Sequence, residues 1–413
     1  MLFRVSVHES SPAIARMAIA ILIATHTAPT QAGDAINLTR QTWNHLRSVG
    51  AELAGQDAVD DQGNILGVRI IRPNGERLEK LTIVCPRLEM VCISGQDGRL
   101  TGNNLRCLQS LSRLKRLWLV LPLTDDSAEA ISQLRQLQEL RIVVMQSGLT
   151  EHGLEMLSQL QNVTSLGLQV GYNEFQATEA QCGISVLRQF PRLKDLELSG
   201  ASISGRTLQA VGDLRGLAGF HLTANTRMVQ SDDYRSLRHL KQVKRVTLPA
   251  MAAPYISSLD TLVRIDGMNG ITDDEMMYLS TLINLEELGL HEAEITDQSL
   301  VSLKNLTSLR TLNIHARNIT GSGFVHLDSL NNLRRLILRH TQFHPENVHY
   351  LVALSSLEEL DFGSTPVSRG ENWKSLAKLN GLSRLKEVQV DLNESNRLQL
   401  ANMLPGVSVT FLE

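Results

Sequence analysis

The chain has 413 residues, a formal charge of −3 at pH 7 and a hydrophobic fraction of 42%. That fraction excludes a disordered polymer, and the near-neutral charge lacks the basic excess by which nucleic-acid binders are recognised. Aromatic residues make up only 4%, so a core must be built chiefly of leucine, isoleucine and valine.

Residues 1–33 carry the targeting signal. Met17-Ala-Ile-Ala-Ile-Leu-Ile-Ala24 is an apolar run behind Arg4 and Arg16, and Thr30-Gln-Ala32 offers small residues for cleavage. The run is shorter than the about 20 apolar residues of a membrane-spanning helix, so no integral membrane span is expected. A signal peptide or a disordered extension fits this stretch, and export to periplasm, cell surface or medium is favoured over the cytoplasm. Residues 34–75 read as an N-terminal cap. Leu38, Trp43, Leu46 and Val49 recur at helical spacing and Gly50 is the stop. Ala58–Asp60 and Ile65–Ile71 then form two strand-like stretches around Asp61-Gln62-Gly63-Asn64, as a hairpin would.

Residues 76–413 are periodic. Leu285-x-x-Leu288-x-Leu290 recurs as Leu309-x-x-Leu312-x-Ile314, Leu333-x-x-Leu336-x-Leu338 and Leu357-x-x-Leu360-x-Phe362, each 24 residues after the last. A fixed period of this length marks a stacked repeat array in which each unit contacts only its neighbours. Within one unit, Leu288 and Leu290 alternate with Glu287, Gly289 and His291, the period of a half-buried strand. Ile295 turns inward, Thr296-Asp297 supplies oxygens suited to capping a helix, and Leu300, Leu303 and Leu306 line its inner side. The last unit, around Leu404, is degenerate, as a terminal repeat should be.

The copies Ile271-Thr272-Asp273, Ile295-Thr296-Asp297, Ile319-Thr320-Gly321-Ser322-Gly323-Phe324 and Leu149-Thr150-Glu151-His152-Gly153-Leu154 carry a family resemblance. They resemble the Ile-Thr-Asp-x-Gly-Leu subclass of leucine-rich repeat proteins, found in bacteria and in F-box-associated repeats and similar to the ribonuclease-inhibitor type. The resemblance implies an α/β leucine-rich repeat solenoid: a curved parallel sheet on the concave side and short helices on the convex side. One feature departs from the best-known repeats. Their ninth position is usually an asparagine that forms a ladder, whereas Ala201, Asn225, Ala293, Arg317, Thr341 and Thr365 stand there. The asparagine ladder is expected to be mostly absent.

Two units break the rhythm. The step from Val163 to Leu193 is 30 residues, and the excess carries Tyr172 and Phe175, candidates for an insertion-loop contact. The step from Val243 to Leu262 is 19, with Pro249 and Pro254 where a helix would begin, which should change curvature locally.

No phosphate-binding, nucleotide-binding or nucleophile motif is present, so no catalytic residue, cofactor or enzyme activity is expected. His340, His344 and His349 are the densest histidines, but Pro345 intervenes and they should not converge on a metal. Cys85, Cys92, Cys107 and Cys182 are too few and irregular for a disulfide framework, one bridge among the first three staying open if the chain is exported. Asn-x-Ser/Thr phrases at Asn37, Asn162, Asn305, Asn318 and Asn393 largely follow the repeat and need not mark glycosylation.

The informative positions alternate with the leucines and face out from the strands: Arg116, Trp118, Arg141, Glu197, His221, Arg245, His291, His315 and Arg339. Trp118, flanked by Arg116 and Arg141, is the leading hot-spot candidate, with a covering role against the cap as its alternative. His291, His315 and Arg339 should form a column at the spacing of neighbouring strands, about 4.8 Å. The expected function is non-catalytic binding of a protein or peptide on the concave face by a monomer. A substrate-recognition arm of a ubiquitin-ligase-like effector and a cell-envelope or carbohydrate binder are the other readings. The segment ahead of the cap is too short for an F-box helical domain.

Overall fold

The computed structural model describes residues 46–54, 58–95, 100–144, 149–170, 184–200, 203–223 and 229–411. The expected leader, most of the expected capping helix, and Tyr172 and Phe175 lie outside them. The chain divides into two compact units, residues 1–192 and 193–413.

In the first unit the strands are β1 (Ala51–Leu53), β2 (Gly67–Ile71), β3 (Met90–Ser94), β4 (Arg116–Val120), β5 (Glu139–Val144) and β6 (Ser165–Val170). β1 and β2 are antiparallel, and each later strand lies parallel to the one before it in sequence. The hairpin differs from its expected form. The strand partner of β2 is Ala51–Leu53, directly after the left-handed Gly50 (φ 69°), while Ala58–Asp60 contributes only the single bridge Val59–Ile65. Asp60 explains why: its carboxylate accepts from the backbone of Gln62 and Asn64 and from the Asn64 amide, closing a turn that leaves few residues to pair.

The second unit holds β7 (Asp195–Gly200), β8 (Gly219–Thr223), β9 (Arg245–Pro249), β10 (Arg264–Asn269) and β11 (Glu287–His291). It continues through β12 (Thr311–Ile314), β13 (Arg335–Ile337), β14 (Glu359–Asp361), β15 (Glu387–Gln389) and β16 (Ser408–Thr410), all paired in parallel and in sequence order. The short unit shows its irregularity at Asp266, where the register of β10 slips against both neighbours. After β9, Pro249 and Pro254 confine the helical segment to Ala250–Ala252 and Ala253–Ile256.

The leucine phase places the core. Leu288, Leu290, Ile295, Leu300, Leu303, Leu306 and Leu309 are all buried, each contributing roughly 1.5–3 kcal/mol. Phe324, Phe343 and Phe362 form a spine through three successive units, with ring centroids 5.7 and 5.4 Å apart. Helical segments of one to three turns, many of them 3-10, alternate with the strands.

The Thr-Asp pair does more than cap its own helix. Thr296 accepts from the Gln298 N–H as a cap, but the aspartates reach across to the next unit. Asp125 accepts from the backbone and hydroxyl of Thr150, Asp273 from those of Thr296, and Asp297 from those of Thr320 and from the Gly321 and Gly323 N–H groups. Burial alone would raise these carboxyls, yet the donated hydrogen bonds outweigh it and hold all three below the usual aspartate value.

Isolated asparagine bonds between units do occur, at another position of the repeat. Asn162, Asn284 and Asn332, each just before the first hydrophobe of a phrase, donate their amides to the carbonyls of Arg135, Asp260 and Thr307 in the preceding unit. At the ninth position Thr341 and Thr365 instead close local turns onto Leu338 and Phe362 carbonyls.

Candidate functional site

Residues that alternate with the leucines project from the helix-free face of the sheet, and in the second unit they fall into rows. The first row, at the start of the strands, is internally compensated. Arg245 reaches Asp195 at 2.5 Å, Arg264 reaches Glu287 at 2.9 Å and Arg335 reaches Glu359 at 3.1 Å. Gly219 stands between Asp195 and Arg245, where a Cβ would sit 2.3 Å from the Asp195 carboxylate. These pairs are about half exposed, so each contributes roughly 0–1 kcal/mol. Their larger effect is to take Arg245 out of the set of available cations.

The middle row begins with Glu197, His221 and Thr247 in register. His221 Nδ1 shares a 2.8 Å hydrogen bond with the Thr247 hydroxyl and lies 3.9 Å from the Asp266 carboxylate. Burial lowers the His221 pKa, outweighing the upward pull of Asp266 and Glu197. A neutral imidazole bonded to a threonine is a fixed feature of this face.

The third row carries the imidazoles. His291 leans back over Gly267 and Gly289, where a Cβ would approach its ring to 3.0 and 3.2 Å, and its Nε2 donates to the Asp266 carbonyl at 3.1 Å. Since a carbonyl can only accept, the proton of neutral His291 is fixed on Nε2. The His315 ring meets His291 edge-on at 5.2 Å and His340 at 5.8 Å. The expected column of His291, His315 and Arg339 is therefore corrected to His291, His315 and His340. The physical reason is backbone: His340 adopts a left-handed conformation (φ 58°), which turns its ring into the column. Arg339 still acts on His315, and its Nε donates to Asp361 at 2.7 Å. Asp361 is buried, and its other oxygen accepts from the Gly363 N–H at 2.8 Å.

Beside this column lies a hollow of about 690 Å³ lined by Glu292, Ala293, Glu294, His315, Ala316, Arg317, Asn318 and His340. His315 is held neutral there. Burial first, then the neighbouring His291, His340 and Arg339, push its pKa from 6.5 to about 4, against the opposing pull of Asp361. Sequence reasoning missed Asp361 and the contribution of His340 to the column. The middle position of Leu357-x-x-Leu360-x-Phe362 was the available signal for Asp361, since it alternates with core residues.

The first unit presents a different face. Arg116 is exposed at the start of β4, opposite Glu139. Trp118, read from sequence either as a hot spot or as a cover against the cap, is buried at 5% exposure, clustered with Met90 and Cys92 and packed against Ala54, which fits the covering role. Its indole N–H donates to Glu139 at 2.8 Å, the Arg141 Nε donates to the same oxygen at 2.9 Å, and the Arg141 guanidinium lies 5.0 Å from the indole centroid. Val120 and Val143, farther along the face, are also buried. Trp118 and Arg141 do come together as expected, but as a packed cation–π pair.

Among the described residues no group of three or more His, Cys, Asp and Glu side chains is arranged to hold a metal ion. His344 instead pairs with Glu346, and His349 donates to the Glu346 carbonyl while its ring packs on Tyr350. Cys85, Cys92 and Cys107 are free thiols, with burial raising each to about 11 and leaving little thiolate at neutral pH. No described helix is long and apolar enough to cross a membrane.

No protein-family model matches the chain, and no curated protein sequence matches it. Among solved structures, the chain is similar to an internalin from Listeria monocytogenes, at 18% identity over 87% of this chain and 98% of that one, with a TM-score of 0.50. A leucine-rich repeat protein of Leptospira interrogans aligns at 17% identity over 84% of this chain and 90% of the other, with a TM-score of 0.48. At such identities the likeness is one of fold. The fold is that of a leucine-rich repeat solenoid, with parallel strands in sequence order alternating with short helical segments.

Proposed function

We propose that the chain is a non-catalytic interaction module that holds a protein or peptide on the helix-free face of its second unit, around His291, His315, His340 and Arg339. The observation that supports this reading is the contrast between rows on one face. At the start of the strands the charges are spent on one another, while the far end gathers imidazoles, a guanidinium and a hollow of about 690 Å³. None of these side chains is needed by the leucine core, and all stand at or just past the ends of strands β11, β12 and β13, whose fixed register lowers the ordering cost of binding. Trp118 and Arg141 are assigned to the packing of the first unit.

The test is site-specific photo-crosslinking in the native cell. A photoreactive residue at position 315 should give a discrete adduct with a second protein. The same residue at position 277, where Met277 is exposed on a helical segment, should not. Adducts at 277 with none at 315 would move the binding surface off this face. Binding to the cell envelope would appear as a glycan or lipid adduct at 315 instead.

A further inference from the structure

We propose that the edge of the second unit where β7, β8 and β9 begin is a docking surface for an acidic segment of a partner protein. Lys194 and Lys244 hold it on either side of Ala218, with Arg215, Arg238 and Lys241 on the segments that lead into β8 and β9. This surface lies at the strand starts, apart from the histidine column at the strand ends, and goes beyond the function assigned to that column.

The residues standing immediately before each strand form a row of their own. Backbone bonds of 2.7–2.9 Å join Ala218 to Lys194, Lys244 to Ala218, Val263 to Lys244 and Glu286 to Val263. Farther along, the cations of this row meet a glutamate one unit away: Arg310 meets Glu286 at 3.0 Å, and Arg334 and Lys386 meet Glu358 at 3.8 and 2.5 Å. Lys194 and Lys244 have Ala218 and Val263 beside them instead, and among the described residues neither forms an ion pair. The sequence around them has the same sign. No acid occurs between Asp233 and Asp260, a stretch that holds Arg235, Arg238, Lys241, Lys244 and Arg245. Arg235 and Arg245 are taken by Asp232 and Asp195 at 3.2 and 2.5 Å. Arg215, Arg238 and Lys241 are exposed without an ion pair among the described residues, Lys241 reaching only the Ser258 carbonyl at 3.4 Å. The acid-free stretch of the first unit, between Asp97 and Asp125, is compensated from neighbouring turns, at Lys115 by Glu89 and at Arg106 by Glu129.

Lys194 and Lys244 are two strands apart, so their side chains rise about 10 Å from one another over the short Ala218. A carboxylate between them meets two ammonium groups. Gly216 is exposed beside them, and a Cβ there would meet nothing within 4 Å, which leaves room for a chain to lie down. Same-face side chains of an extended peptide recur about every 7 Å, a spacing that fits two or three acids into this patch. Asp213 and Asp260 are the exposed acids at its borders. A bilayer or a nucleic-acid duplex would run past the patch onto the compensated part of the row. Among the described residues from 193 to 264, none is an exposed large hydrophobic side chain that would enter a lipid. A short acidic segment ends within the patch.

The experiment titrates the full chain against a fluorescent capped peptide of alternating glutamate and serine and against its glutamine counterpart. Vesicles of phosphatidylserine in phosphatidylcholine and a single-stranded DNA oligonucleotide are the other two probes. The glutamate peptide should bind saturably and weaken with added salt, and the glutamine peptide should not bind. Lys194→Gln with Lys244→Gln should weaken the glutamate peptide about threefold to tenfold. Ala218→Glu supplies the acid that the rest of the row possesses and should abolish binding. Arg310→Gln, in the compensated part of the same row, should leave the affinity unchanged, and thermal unfolding verifies the fold of each variant. No binding of the glutamate peptide, equal binding of the two peptides, or affinity that survives both patch variants overturns the proposal. An equal loss in Arg310→Gln also overturns it. Vesicle or oligonucleotide binding that exceeds the peptide's and is lost in Ala218→Glu overturns it in favour of that polyanion. The crosslink at position 315 reports independently on the histidine face.

Discussion

Asp297 accepts hydrogen bonds from both the backbone nitrogen and the hydroxyl of Thr320, at 3.0 and 2.5 Å, although 23 residues separate them. The same carboxylate takes the Gly321 and Gly323 N–H groups. One side chain thus satisfies the first turn of the following unit, where orphan donors would otherwise stand. Asp297→Ala should lower stability by about 2–4 kcal/mol, since it removes several charge-assisted bonds at once. Denaturant unfolding of the second unit measures it, and a midpoint equal to wild type would show the ladder to be idle. The pH dependence has a definite sign: a carboxyl held below its ordinary 3.8 adds stability above that value and loses it as pH falls further.

Gly323 tests the same junction from the other side. A Cβ there would lie 2.2 Å from the Asp297 carbonyl oxygen and 2.9 Å from its carbon, both backbone atoms that cannot swing away. Gly323→Ala should therefore cost about 1–3 kcal/mol. Gly216→Ala is the control, because nothing lies within 4 Å of its added carbon. There the change should be neutral or stabilise by about 0.5 kcal/mol through the unfolded chain. Equal thermal midpoints for the two variants would refute the close approach.

Trp118→Ala should destabilise the first unit by about 3–5 kcal/mol, the range for truncating a buried indole. Trp118→Phe retains most of the packing but leaves Glu139 without the indole donor, at about 1–2 kcal/mol. Tryptophan fluorescence and thermal unfolding follow both. An alanine variant with wild-type stability and weakened partner capture would return Trp118 to the role of an exposed contact.

His315 gives the second unit a pH response. Its folded value of about 4 lies below the ordinary 6.5, so between the two the unfolded chain binds more protons than the native one. Stability from this group is whole above 6.5 and declines as pH falls toward 4. His315→Gln cannot titrate and should flatten that part of the profile, read as denaturation midpoints across the window. A variant profile parallel to wild type would count against a neutral, crowded imidazole.

The repeat phase was legible because Leu288, Leu312, Leu336 and Leu360 serve one purpose at one spacing, and register follows from it. What alternation could not tell was depth. Trp118 occupies an outward position by parity, but its burial depends on Ala54, Met90 and Cys92, contributed by other strands and loops. Parity also fails where a strand ends. His340, one residue past Arg339, enters the column because of its left-handed backbone, which no leucine pattern encodes. Thr-Asp was recognised as helix-capping chemistry, yet its reach into the neighbouring unit is a three-dimensional fact, visible only once Asp273 and Thr296 stand side by side.

The lateral ladder also sets the increments in which such a chain can change length. Asp273 to Thr296 and Asp297 to Thr320 are the same 23-residue span. Removing residues 274–297 would leave Asp273 at that span from Thr320, so the same acceptor would meet an equivalent donor and the strands would close in register. Loss of one residue more or fewer would offset both. Along this molecule, insertions and deletions are quantised: a whole turn of the solenoid can be gained or shed with its joints already matched.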